Sequence, residues 1–315
     1  MNRIPRTALQ WPWALLLISV VSVSAQSAPP AAWSVGATYD AARARVVVFG
    51  GFMRGYVGGT WEWDGHGWTR PTETGPTPRN APALVYDAAR RQVLLFGGDR
   101  GSEGALGDTW VYDGHAWREM DTPGPSPRSI HAMVYDSQRR SVVLFGGVAE
   151  GHTLGDTWEW DGNGWARVAT SGPSPRALHG LAYDGVRGRT VLFGGQAVLA
   201  PDEPSLTDTW EWDGVTWTRI DVSPPGPRDH VAMAFDVATG TVLVHGVKAD
   251  GEGPGETWGY DGHGWTRQAD AGPRRGGAKL VFDAGAGRML LYGGGDGAPT
   301  NELWALNGRT WEQIH

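Results

Sequence analysis

The sequence predicts an all-β protein, a six-bladed β-propeller with four antiparallel strands in each blade. Three observations predict it: a unit of roughly 50 residues recurs six times, each unit holds four short apolar runs, and an Asp-Gly turn signal separates the last two runs. A unit of this size cannot bury its own apolar faces and has to stack on its neighbours. Six such units stacked in a ring form a propeller.

The repeat is clearest in a tryptophan-rich segment that occurs six times. The copy at 155–165 reads GDTWEWDGNGW, and the others are GTWEWDGHGW (59–68), DTWVYDGHAW (108–117), DTWEWDGVTW (208–217), ETWGYDGHGW (256–265) and the divergent ELWALNGRTW (302–311). An apolar run ending in Gly-Gly precedes it in five units, and an aromatic-Asp pair lies further upstream, at intervals of 47 to 52 residues. The units therefore extend over about 33–70, 80–119, 129–169, 177–220, 229–268 and 276–315.

The third unit shows how the strands are predicted. Its apolar runs are HAMVYD, SVVLFGG, DTWEW and WARVA, which alternate and are rich in β-branched and aromatic residues. Asp161-Gly162 predicts a tight hairpin between the last two runs, because glycine adopts positive φ without steric cost. Residues two apart share one face of a strand, so Trp158 and Trp160 are expected to fill the space between blades rather than to bind a sugar.

The apolar run ending in Gly-Gly, followed at set spacing by a Trp or Tyr and then by a later Trp, resembles the kelch repeat. The resemblance extends over 33–315 and implies a single kelch-type propeller domain over 26–315. Strand direction alternates within a blade, so the loops between strands 2 and 3 and those between strand 4 and the next blade emerge on one side. We name this side the loop face. It carries the long, variable loops, and we expect a ligand to bind there.

Residues 1–25 are predicted to form a signal peptide. Arg3 and Arg6 precede the apolar run WALLLISVVSV, and a small-residue cleavage site ends at Ala25. The chain has no cysteine, so we expect a periplasmic or secreted protein that has neither a disulfide nor a lipid anchor.

Charge and composition exclude several classes of partner and chemistry. The formal net charge is −7, so neither nucleic acid nor membrane insertion after cleavage is expected. The copper radical oxidases that share this propeller use a tyrosine crosslinked to a cysteine, which this chain cannot form. We expect a monomer with no cofactor and no metal.

An arginine ends the proline-rich connection before five of the six units. These residues are Arg79, Arg128, Arg176, Arg228 and Arg275, and Ala32 takes the place in the first unit. In some kelch propellers the matching positions line an anion-accepting pocket, so the resemblance implies a ring of guanidinium groups for a carboxylate or phosphate. The alternative is that each arginine pairs with backbone carbonyls or with an acidic residue of the neighbouring blade. Its repetition favours this structural role.

Three further candidates break the repeat. His131 and His179 occupy the same position in adjacent units, where an imidazole serves either as acid, base or metal ligand or as a buried, hydrogen-bonded structural residue. Glu203 lies in the longest loop, QAVLAPDEPSLT. With the five arginines, these residues form the predicted ligand-binding set.

Three functions follow from these observations. The preferred one is an exported interaction module that binds a protein or a glycan through the loop face without chemistry. The second is a sugar-modifying enzyme similar to six-bladed kelch sialic acid mutarotases, and the third is a structural scaffold. An enzyme requires asymmetric polar residues in the channel, which the histidines and Glu203 indicate only faintly, and the fold alone does not choose.

Overall fold

The protein is a ring of six four-stranded antiparallel sheets. The computed structural model describes residues 28–200 and 203–315. The predicted signal peptide lies outside these ranges. Within them the only helical segment is a 3-10 turn, Gly101–Glu103. The prediction of an all-β, six-bladed propeller is confirmed.

Strand order within every blade follows the chain. Blade 1 contains β1 (Gly36–Asp40), β2 (Arg45–Phe49), β3 (Thr60–Trp63) and β4 (Trp68–Thr72), and blade 2 contains β5 (Ala83–Asp87), β6 (Gln92–Phe96), β7 (Thr109–Tyr112) and β8 (Trp117–Met120). Blade 3 contains β9 (Ala132–Asp136), β10 (Ser141–Phe145), β13 (Thr157–Trp160) and β14 (Trp165–Ala169), with a two-stranded hairpin, β11 (Val148–Ala149) and β12 (His152–Thr153), in its 2–3 loop.

The second half of the ring repeats this order. Blade 4 contains β15 (Gly180–Asp184), β16 (Arg189–Phe193), β17 (Thr209–Trp212) and β18 (Trp217–Ile220). Blade 5 contains β19 (Arg228–Asp236), β20 (Thr241–Lys248), β21 (Gly255–Tyr260) and β22 (Trp265–Gly272), and blade 6 contains β23 (Lys279–Asp283), β24 (Arg288–Tyr292), β25 (Leu303–Asn307) and β26 (Thr310–Gln313).

Glycines adopt positive φ at two turns of blade 3. Gly162, in the 3–4 hairpin of blade 3, has φ 99°, and Gly146 and Gly147, which end β10, have φ 65° and 99°. In blade 5 His245 takes the place of Phe145, and Gly246 and Val247 take the places of the two glycines; none of the three has positive φ. The left-handed turn is absent there, and β20 continues as a straight strand to Lys248.

Tryptophans fill the space between blades, as predicted. Trp160 and Trp212 are fully buried at the blade interfaces. The tryptophan that begins strand 4 also bonds to the blade before it: Trp165 Nε1 donates to Thr109 Oγ1 over 3.0 Å, and its ring lies 5.3 Å from that of Phe96. The same pair of contacts joins most neighbouring blades, so each indole contributes both apolar burial and a satisfied N–H to the stack.

An ion network also links neighbouring blades on the side opposite the loop face. Arg43 bridges Asp40 and Glu62, and Glu62 Oε1 accepts a hydrogen bond from the Tyr112 hydroxyl of blade 2 over 3.0 Å. Blades 3 and 4 use the same arrangement towards the blade that follows. In blade 2 a valine replaces the glutamate, and the Trp160 Nε1 of the next blade then has no partner within the described residues. The glutamate therefore belongs to the interface rather than to a ligand site.

The ring closes by packing between blades 6 and 1, because each of these blades has all four of its strands from one end of the chain. Trp63 and Trp68 of blade 1 share an apolar cluster with Leu290 and Leu303 of blade 6. Leu303 stands where other blades have the threonine that accepts from the indole, so Trp68 Nε1 has no partner within the described ranges. The seam thus depends on apolar contact more than the other five interfaces do.

Candidate functional site

The first strands of the six blades line a central channel of about 450 Å³. Its lining is mostly aliphatic and aromatic. Among the described lining residues there is no aspartate, glutamate or arginine, and Lys279 is the only lysine. The channel is therefore an apolar cavity with one amine in it, near the end where the first strands begin, which is the loop face.

Lys279 is the residue at which the sixfold repeat of the channel breaks. It begins β23, and the five matching positions hold only glycine or alanine: Gly36, Ala83, Ala132, Gly180 and Ala232. A Cβ atom placed on Gly36 would overlap the Leu84 side chain of the following blade. In the same register the residue opposite Lys279 is Ala37, the smallest at its position in the ring. A large side chain is thus accommodated where its neighbour is small.

Lys279 has no internal counter-ion. It makes no hydrogen bond or ion pair within the described part of the chain, and no carboxylate lines the channel with it. Burial lowers the pKa of Lys279 from its usual value, because an apolar surrounding disfavours the charged form. An uncompensated amine in such a cavity is costly for folding, and this points to a role in binding or chemistry.

The two predicted histidines lie together with Lys279. His131 and His179 are buried, their rings are edge-on to Phe96 and Phe145 of the preceding blades, and neither ring nitrogen has a partner among the described residues. Burial, followed by the charges of Arg176 and Lys279, lowers the pKa of His179 to about 3.

The pKa of His131 is lowered in the same way, first by burial and then by neighbouring positive charges that include Lys279. Both imidazoles are therefore neutral at pH 7 and are weak proton acceptors. They form part of the channel wall, and Lys279 is the only amine among the described lining residues.

The predicted arginine ring lies behind the channel wall instead of in it. Arg128 is fully buried, and its five N–H groups all have acceptors: Asp156 accepts two bonds at 2.7 and 2.9 Å, Gly146 O one at 3.0 Å, and the carbonyl and hydroxyl of Ser126 accept two more at 3.1 and 3.0 Å. Arg79 and Arg176 make the same five bonds, with Asp108 and Asp208 as partners. These three guanidinium groups have no donor left for a ligand.

The other two arginines follow the pattern less completely. Arg228 is buried and pairs with Glu256, and Arg275 is partly exposed and pairs with Glu302. Every one of the five partners belongs to the arginine's own blade, so the expectation of an acidic partner in the neighbouring blade is wrong. The first strand and the 2–3 loop of a blade meet at the loop face, and this brings each arginine to a carboxylate just before strand 3 or, in blade 5, at its start.

Glu203 is exposed in the 2–3 loop of blade 4 and is not among the residues that line the channel. Across residues 28–200 and 203–315, no group of three or more His, Cys, Asp or Glu side chains is arranged to hold a metal ion. No helix in the described ranges is long and apolar enough to cross a membrane.

A family model described as the KLHDC2/KLHL20/DRC7 kelch-repeats domain matches residues 114–268. With the six blades, this match decides the identity of the repeat. Residues 114–268 are kelch repeats within this six-bladed β-propeller. No curated protein sequence matches it significantly. The solved structure of YjhT is similar to this propeller over 93% of the chain and 100% of its own length, with a TM-score of 0.71 and 12% sequence identity. At that identity the similarity concerns the fold alone.

Sequence reasoning missed Lys279, although the signal was present. A lysine in a column of glycines and alanines becomes visible only when the first strands of the six units are aligned position by position. The proline-arginine motif was more conspicuous because it repeats, but repetition marked a structural ion pair.

Proposed function

We propose that this kelch propeller is a binding module that accepts the acidic group of a protein or glycan ligand at the loop face, with Lys279 as its counter-ion. One observation carries the proposal: the channel contains a single amine and its described lining contains no carboxylate. An entering anion supplies the missing charge, and it raises the pKa of Lys279 back towards its usual range because an opposite charge favours the ammonium form.

The loops around the channel mouth support binding of a larger ligand. Phe52 and Met53, in the 2–3 loop of blade 1, are 38% and 45% exposed, and Val198 and Leu199 in the longest loop are 53% and 42% exposed. Apolar side chains exposed on two loops of the same face provide contact area beside the charged group. We further propose that the protein is exported and acts as a monomer, on the basis of residues 1–25 and of the charge.

The enzyme alternative is supported less well by the geometry. A sugar isomerase of the mutarotase kind needs a positioned acid or base near neutral pH. The described channel lining holds no carboxylate, and His179 has a pKa of about 3, too low for an efficient base at neutral pH. The similarity to YjhT rests on the fold, which hosts more than one activity.

The proposal is tested by thermal unfolding of the folded protein with paired ligands that differ only in charge. One pair is a short peptide with a free or an amidated C-terminus, and the other is a uronic acid and its amide. A ligand at 100 times its Kd adds about 2.7 kcal/mol of stability. We expect the acidic member of one pair to stabilise the protein, and which pair responds tells a peptide ligand from a glycan ligand.

Two variants localise the effect. Lys279→Gln removes the amine in the channel, whereas Lys248→Gln removes an exposed lysine outside it. Stabilisation should be lost in the first variant and kept in the second. If neither acidic ligand shifts the transition, or if Lys279→Gln responds as the parent does, the channel is not an anion site.

A further inference from the structure

The amine of Lys279 lies in a surrounding that favours its neutral form. The other titratable residues that line the channel with it are histidines and tyrosines: His131, His179, His230, Tyr39, Tyr86, Tyr135 and Tyr183. No described lining residue carries a negative charge that would hold the ammonium form. The cavity of about 450 Å³ has room for a small organic molecule beside the side chain.

We propose that Nζ of Lys279 attacks the carbonyl carbon of an aldehyde or ketone that enters the channel and forms an imine with it. This goes beyond the proposed binding of an acidic group, because it needs an uncharged amine and no anion. An amine placed in an apolar pocket is a nucleophile at a pH where an ordinary lysine is protonated, because burial disfavours its charged form.

The reaction balances without any co-reactant. The nitrogen lone pair forms the N–C bond, the carbonyl π electrons move to oxygen, and a proton passes from nitrogen to that oxygen to give a carbinolamine. The C–O bond then breaks, the hydroxyl group leaves as water with a second proton from nitrogen, and the C=N bond forms. One amine and one carbonyl compound thus give one imine and one water.

Lysine content makes the proposal unusually easy to test. The chain has two lysines, and the second, Lys248, is exposed on the loop side of blade 5 and does not line the channel. At pH 7 an ordinary lysine amine is neutral in roughly one molecule in 2,500, and each unit by which the pKa falls multiplies that fraction by about ten. Lys248 therefore serves as an internal control in the same molecule.

The experiment treats the folded protein at pH 7 with benzaldehyde and sodium cyanoborohydride, which reduces any imine to a stable amine. Peptide mass spectrometry then follows the adducts on Lys279 and Lys248 with time. We expect Lys279 to be labelled at least about tenfold faster than Lys248, and we expect the two rates to converge in urea. Lys248→Arg should leave the rate at Lys279 unchanged.

Equal or slower labelling of Lys279 in the folded protein would overturn the proposal, since the channel would then either protonate the amine or exclude the aldehyde. A rate advantage that persists in urea would overturn it too, because the advantage would come from the local sequence. Benzaldehyde carries no charge, so the outcome does not depend on anion binding, and each proposal can fail without the other.

Discussion

Replacing Arg128 with methionine separates the structural role of the arginines from ligand binding. The guanidinium group is fully buried and makes five hydrogen bonds, two of them to Asp156. Its loss leaves a carboxylate that is mostly buried, 19% exposed, with only Trp158 Nε1 as a side-chain donor at 2.7 Å. Breaking a buried ion pair by removing one partner costs about 3–5 kcal/mol. At about 2 °C per kcal/mol for a chain of this size, Tm should fall by at least about 6 °C.

The matched control is Arg228→Met. Arg228 makes two hydrogen bonds instead of five, and its partner Glu256 also pairs with Arg267, so the carboxylate keeps a counter-ion when Arg228 is lost. We expect a smaller loss than at Arg128. The assay is urea denaturation followed by tryptophan fluorescence, with the free energy of unfolding compared between variants.

A double variant, Arg128→Met with Asp156→Leu, isolates the pair. It should be less destabilised than the sum of the two single changes, because no uncompensated charge remains. A loss below about 1 kcal/mol for Arg128→Met, or strict additivity in the double variant, would refute the argument that the pair holds the blade together. If Arg128→Met kept the stability of the parent but lost anion binding, the arginines would instead belong to a ligand site.

Two further predictions concern the blade interface and pH. Glu62→Gln removes the carboxylate charge that accepts hydrogen bonds from Arg43 and from the buried Tyr112 hydroxyl. The free energy of unfolding, measured by urea denaturation, should fall by about 1–2 kcal/mol. A change within experimental error would show that this network does not contribute to stability. Burial lowers the pKa values of His179 and His245 to about 3 and about 4. Because the unfolded chain binds these protons first, stability is complete above about pH 6.5 and falls by about 1.4 kcal/mol per pH unit per histidine towards pH 4. A urea midpoint that stays constant between pH 6.5 and 4.5 would contradict the neutral, buried state of both rings.

Much of the fold follows from the repeat because its signals are local. Gly162 adopts positive φ in its hairpin because of the Asp-Gly pair, and Trp160 lies between blades because of the two-residue period of its strand. In blade 5 Val247 replaces the second glycine of the pair and the left-handed turn is lost, but the sequence did not show that β20 would continue through it.

The arginine partners were also readable, from a comparison within the chain. In the five units that have the arginine, the partner at the beginning of the Trp-rich segment is Asp or Glu. In the first unit, Gly59 and Ala32 replace both members. Both members of the ion pair are therefore absent together in the first unit, as expected for two residues whose role is to bind each other. Spacing alone did not tell which blade supplies the partner, because that depends on how strand 1 and the 2–3 loop meet in three dimensions.

By itself, the sequence determined the number of blades, the strands, the turns and the side of the ring that carries the long loops, since each is set by residues a few positions apart. Only the tertiary structure decided that Lys279 lies with His131 and His179, and that the channel's described lining contains no carboxylate. The physical reason is ring closure. The channel wall takes one strand from each unit, so groups more than a hundred residues apart share one low-dielectric space, and their charges and pKa values depend on that space rather than on any local pattern.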